Sequence, residues 1–226
     1  MDRKRLFFGA EQSGGYSPIF EGDSNSLNGS SSTTLSVAYP SGIQADNIIL
    51  LWLNTNRAST WTVPSGFTLI KTTSISGFSY ALFYKRATGT ESGNLSVTAS
   101  GYSTGGHFGI MSRYSGCIKT GIPYEELTFT PINNDVGSIT HSNSNSLGDN
   151  RLACVFLTQG QTGNFPTITF NNYTVSYSYQ NGAGGNTRVH LGTQDILNSS
   201  TDDGNASVSW GGTNDAVGVG ILLIPN

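Results

Sequence analysis

The groups of this chain able to do chemistry are three histidines, two cysteines and fourteen carboxylates, and their spacing does little to gather them. His107, His141 and His190 form no H-E-x-x-H pattern, and Cys117 and Cys154 form no Cys-x-x-Cys pair. His107 and His190 fall in strand-like runs and read as ordinary strand residues; His141 falls in a Ser/Asn stretch and reads as solvated. Glycoside hydrolysis needs two facing carboxylates. Glu125/Glu126 and Asp202/Asp203 are adjacent, so in an extended strand each pair points to opposite faces. Asp202, Asp203 and Asp215 offer the oxygen ligands calcium takes, but their spacing matches no calcium loop. A Gly-x-Ser-x-Gly nucleophile elbow needs a strand-to-helix turn, and no helical period supplies one. The expectation is a chain that is no enzyme, with no catalytic residue, metal or cofactor.

Residues suited to binding are easier to find. Arg3, Lys4 and Arg5 put three of the eleven basic residues in the first five positions, and Phe7 and Phe8 follow. This reads as a docking arm that orders on contact with another subunit. Trp61 sits in a polar stretch, where an exposed indole would stack on a sugar; the competing reading is a residue capping the end of the fold. Trp52 and Trp210 lie on strand-like runs and read as core. Two loops rich in glycine and tyrosine, at 101–106 and 179–185, offer Tyr102 and Tyr179 as further candidate glycan contacts. They serve equally as turns packed against a neighbouring subunit.

The elements that must position these residues are strands. Charged residues are only 11% of the 226, against roughly 25% in ordinary soluble domains, while 29 glycines and many Ser, Thr and Asn fill the gap. Such a chain suits short strands, many turns and surfaces packed against neighbours. The net charge of −3 argues against a nucleic-acid partner. The basic start is followed by too few apolar residues for a secretory h-region, and no run is long enough for a transmembrane helix, so folding in a cytosol without a membrane partner is expected. Cys117 and Cys154 then read as buried thiols.

Residues 1–32 show no period and read as an extended arm and linker. From 33 onward, short runs of Val, Ile, Thr, Tyr and Phe predict strands at 33–39, 47–54, 67–74, 78–87, 94–99, 107–115, 151–158, 167–170, 173–180, 187–194, 205–210 and 216–224. One short helical turn is expected near 123–127. The sequence also resembles itself. Asp46-Asn47 and its apolar run match Asp149-Asn150 and theirs, Thr62–Leu69 matches Thr167–Val175, Gly93–Thr98 matches Gly204–Ser209, and the run from His107 matches that from Val217. The reading is an all-β, antiparallel two-sheet sandwich over 33–226, jelly-roll-like, whose two sets of about five strands (33–120 and 121–226) interleave around one interior. Asp46 and Asp149 then end turns.

Three runs carry a resemblance: Gln44–Leu51, Val63–Ile70 and Tyr80–Glu91, closed by Tyr114-Ser115-Gly116. Over about residues 33–120 they are similar to a β-sandwich type found in bacteriophage structural proteins and some secreted bacterial proteins. Its pattern is roughly G-D before an apolar run, P-x-G-W-T-L, Y-Y-K-x-A-x-G-x-E and Y-x-G. Here Asn47 follows the aspartate and Phe67 stands where Trp is common. The resemblance implies a fold and a virion setting and carries no active site. The expected function is a structural protein of the virion, made in the host cytoplasm, as a capsid decoration or a tail or fibre-associated component. Its partners would be other virion proteins and copies of itself, with a trimer the natural count for a spike. The alternative is a carbohydrate-binding or host-surface adhesin module.

Overall fold

The computed structural model describes residues 17–28, 32–55, 59–75, 78–100, 106–127, 132–141, 149–160, 168–171, 174–180, 187–196 and 206–226. Among the described residues there are fifteen strands and no helix. The fold is all-β, its sheets are antiparallel, and they stack face to face as a sandwich.

The middle layer is organised by β3 (Ala45–Thr55), whose run from Asn47 to Thr55 is buried without a break. A strand with an uninterrupted apolar run has no face to give to water and must be covered on both sides. Ile48, Leu50 and Trp52 enter one interior; Ile49, Leu51 and Leu53 enter the other. Around it stand β1 (Ile19–Asn28), β5 (Thr68–Ile75), β6 (Phe78–Thr88) and β8 (His107–Ser115), in the order β1-β8-β3-β6-β5. One outer layer is the small sheet of β2 (Thr34–Ala38), β4 (Thr60–Trp61) and β7 (Asn94–Ser100). Its Leu35, Val37, Val97 and Ala99 cover Leu51, Phe83 and Met111. Gly109 permits this approach, since a Cβ there would lie 2.8 Å from Val37 Cγ2.

The second half supplies the layer on the opposite face. It comprises β9 (Tyr124–Leu127), β10 (Ile132–His141), β11 (Arg151–Gly160), β12 (Ile168–Asn171), β13 (Thr174–Gln180), β14 (Thr187–Ile196) and the long β15 (Ala206–Leu223). Leu152, Cys154, Phe156, Leu191, Val219 and Ile221 meet the central sheet, and the Trp52 ring stacks 5.6 Å from Phe156. The halves thus share an interior, as expected, but their strands do not interleave within a sheet. The first half also holds a second interior of its own, so three layers stand where two were expected.

Strand pairings recur along the chain. β1 and β2 run along one side of β8 and β7, and β3 and β4 along the other. β9 and β10 run along one side of β15, and β11 and β12 along the other. Asp46 (φ 66°), the second residue of β3, and Asn150 (φ 58°), just before β11, are both left-handed. Inward residues 48, 50 and 52 then correspond to 152, 154 and 156, one residue out from the match of Asp46-Asn47 to Asp149-Asn150. That one residue matters, because a slip of one turns every side chain to the other face.

Three expectations are corrected. Residues 19–28 are not linker but an edge strand, bulged between Phe20 and Gly22 and paired with β8 along its length. The helical turn at 123–127 is strand β9, held by β15. The runs at 205–210 and 216–224 are one strand.

Candidate functional site

The sandwich has two dissimilar poles. At one, β3 ends at Thr55, β8 begins at His107 and β1 ends at Asn28, all in register. Trp52 Nε1 donates to Thr158 Oγ1 across the layers at 3.1 Å, so β11 ends at this pole too, and with it the start of β14 and the end of β13. The strands bounding 101–105 and 181–186, the two Gly/Tyr loops of the sequence, therefore converge here. At the other pole Cys117 bridges Pro225, and Asn226 N–H donates to the carbonyl of Gly116. Ser17 lies there as well, its carbonyl oxygen 2.5 Å from where a Cβ on Gly116 would stand.

Beneath the loop pole the apolar strands end in a polar floor. Asn54 Nδ2 donates to the Ser79 carbonyl at 3.4 Å, and the Ser59 N–H donates to Ser79 Oγ at 2.7 Å. Asn54, Thr55, Ser79, His107 and Thr158 are all buried. His107 Nε2 lies 2.7 Å from the Ser32 carbonyl, which can only accept, so this nitrogen carries the proton. Burial pushes the His107 imidazole below its ordinary value, with the Ser32 carbonyl opposing. Through these bonds Asn54, Ser79, His107 and Thr158 tie strand ends together, since each left unpaired would cost about 1–3 kcal/mol.

Trp61 belongs to this floor and not to the surface. It is 5% exposed, pairs through β4 with Ala99 and meets the His107 ring edge-on at 5.2 Å. An indole buried among Val97, Ala99 and His107 has no face to offer a sugar, which corrects the platform expected at Trp61 and leaves the end-capping role. Tyr179 lies on β13 opposite Val189, at the loop pole. Tyr102 and the arm residues Arg3, Lys4, Arg5, Phe7 and Phe8 lie outside the described residues.

The charged side chains at and near the base hold turns and edges. Glu91 takes the N–H groups of Thr88 and Gly89 and pairs with Lys85 at 3.0 Å. Burial raises its carboxyl, but the Thr88 bonds and Lys85 lower it further, to about 2. Arg113 reaches Asn47 Oδ1 and the Glu21 carbonyl, tying β8 to β3 and β1. Arg86 donates to the carbonyls of Ile118 and Gly121, which fixes the loop after β8. Cys117 and Cys154 are buried and form no disulfide, and burial pushes the Cys117 thiol up to about 12. Among the described residues no three His, Cys, Asp or Glu side chains gather as a metal set.

No family model, curated protein or solved structure matches this chain. The sequence reading missed the polar floor. Its signal was present: β3 and β11 each trade an apolar run for polar residues at the same end, Asn54-Thr55 and Thr158.

Proposed function

We propose that this chain is a structural component of a bacteriophage virion, working by binding and assembly and not by catalysis. The observation that carries this reading is the opposition of the poles. Residues 1–16, with their basic and aromatic cluster, precede Ser17 at the base, while the strands that flank 101–105 and 181–186 end at the far pole. Such a molecule can be held by one pole and present the other. The low charge fits surfaces that pack against neighbours, and the described ionic pairs hold turns, loops and strand edges. The arm docks onto other virion proteins, in a decoration, tail or fibre position, and copies of the chain assemble together. The test is removal of residues 2–16, a cut that spares Ser17, Pro18 and β1. The shortened chain is expected to fold and to be missing from purified particles.

The convergence of the strand ends that flank 101–105 and 181–186 favours a second reading, in which that pole binds a host-surface glycan. With Trp61 buried, Tyr102 and Tyr179 are the remaining candidates. A glycan array with wild type and Tyr102→Ala decides it. Binding that the substitution abolishes supports the reading, and a blank array removes it.

A further inference from the structure

Among the described residues the most exposed large apolar side chains are Ile122, at 62%, and Ile19, at 54%, and both stand at the base pole. Backbone pairing fixes their spacing. Ile19 is in register with Ser115. Just past Ser115 the chain runs beside residues 224–226. Cys117 bridges Pro225, the Asn226 N–H donates to the Gly116 carbonyl at 2.9 Å, and the Ile118 N–H donates to the Ile224 carbonyl at 2.9 Å. On the other side of 224–226, the Ile224 N–H donates to the Pro123 carbonyl at 2.9 Å. Four backbone segments thus lie side by side, and three steps of about 4.8 Å put Ile19 and Ile122 roughly 14 Å apart. Ile118, Ile224 and Pro225, each half-buried, occupy the steps between them. The base therefore carries an apolar strip of five uncharged side chains.

The chain enters the fold beside this strip, at Ser17, whose carbonyl oxygen lies against Gly116. The apolar cluster upstream of it is Leu6-Phe7-Phe8. Phe8 stands nine positions before Ser17, with Gly9, Gly14 and Gly15 between them. Nine residues of Gly-rich chain span about 15–18 Å root-mean-square, close to the length of the strip. A tether matched to its target holds its end there at roughly millimolar effective concentration, about a thousandfold above a second copy present at micromolar level. Two phenyl rings and a leucine are also what a row of isoleucines takes, since apolar surface leaves water on both sides.

We propose that Leu6, Phe7 and Phe8 dock on the base strip of their own chain. The docking belongs to the isolated chain and does not depend on its joining a particle. A partner that takes the arm takes it from this strip, and so meets the arm and the isoleucines together.

The test is methyl NMR on the full chain with isotope-labelled isoleucine. Nuclear Overhauser contacts from the Phe7 and Phe8 rings to the Ile19 and Ile122 methyls are expected, unchanged on dilution and lost in Phe7→Ala/Phe8→Ala. The same contacts in a mixture of deuterated, isoleucine-labelled chains with unlabelled chains would put a second copy on the strip and overturn the proposal. Their absence from both samples means that the arm does not cover the strip, which also overturns it. Chymotrypsin, which cuts after Phe7 and Phe8, gives a second readout. Ile19→Ser/Ile122→Ser is expected to speed that cutting severalfold, because a docked segment is withdrawn from the protease. Both replaced side chains are more than half exposed, so the fold is expected to survive the change. Equal cutting rates in wild type and variant overturn the proposal.

Discussion

Glu91→Gln is the substitution whose cost follows most directly from the geometry. The Glu91 carboxylate accepts Thr88 N–H at 3.0 and 3.1 Å, Thr88 Oγ1 at 3.0 Å and Gly89 N–H at 3.0 Å, with Lys85 Nζ at 3.0 Å. Its side chain is 4% exposed, but the Thr88–Glu91 turn it bonds is open to solvent, which screens part of this. Burial works against the charge, but these bonds hold the carboxyl at about 2, where 4.5 is ordinary. At about 1.4 kcal/mol per pH unit, the charged form contributes roughly 3 kcal/mol to folding as a ceiling. A depressed carboxyl stabilises the fold above its unfolded value and loses that contribution as pH falls through its folded value. The contribution is therefore complete above about pH 5 and gone near pH 2. Urea unfolding of wild type and Glu91→Gln is expected to differ by about 1–2 kcal/mol at pH 7, below the ceiling because of screening, and by less than about 0.5 kcal/mol near pH 2. A difference that stays constant across this range would refute the assignment to the charged carboxylate, as would a difference below about 0.5 kcal/mol at pH 7.

Two further outcomes are expected. Gly109→Ala forces a Cβ to 2.8 Å from Val37 Cγ2 and should cost about 1–3 kcal/mol by overpacking, with Val37→Ala in the same chain restoring part of it in a double-mutant cycle. His107 is buried neutral with a lowered pKa, so its contribution is present above its ordinary value of 6.5 and declines as pH falls below it. The melting temperature of wild type should drop from pH 7 to pH 5 more than that of His107→Asn, and equal drops would contradict the burial argument.

What was legible in the sequence follows from burial. β3, β6, β8 and β11 carry dense apolar runs because both or most of their faces are covered, and each was located to within a few residues. β1 was not legible. An edge strand with a Gly22 bulge and Ser/Asn side chains makes its backbone ladder without an apolar period. β9 read as a helical turn because its four residues carry two glutamates, and only pairing with β15 makes them a strand. Trp61 read as exposed from its polar neighbours in sequence; its neighbours in space are Val97, Ala99 and His107, which no local window contains. The third layer escaped for the same reason. Alternation in β2 and β7 marks one buried face each, but not which sheet covers it.

The proposed assembly through residues 2–16 is tested most directly by counting the chain in purified virus particles assembled with wild-type protein or with those residues removed. The shortened protein is expected to melt within a few degrees of wild type and to be absent from the particles. Incorporation at the wild-type level would contradict the account.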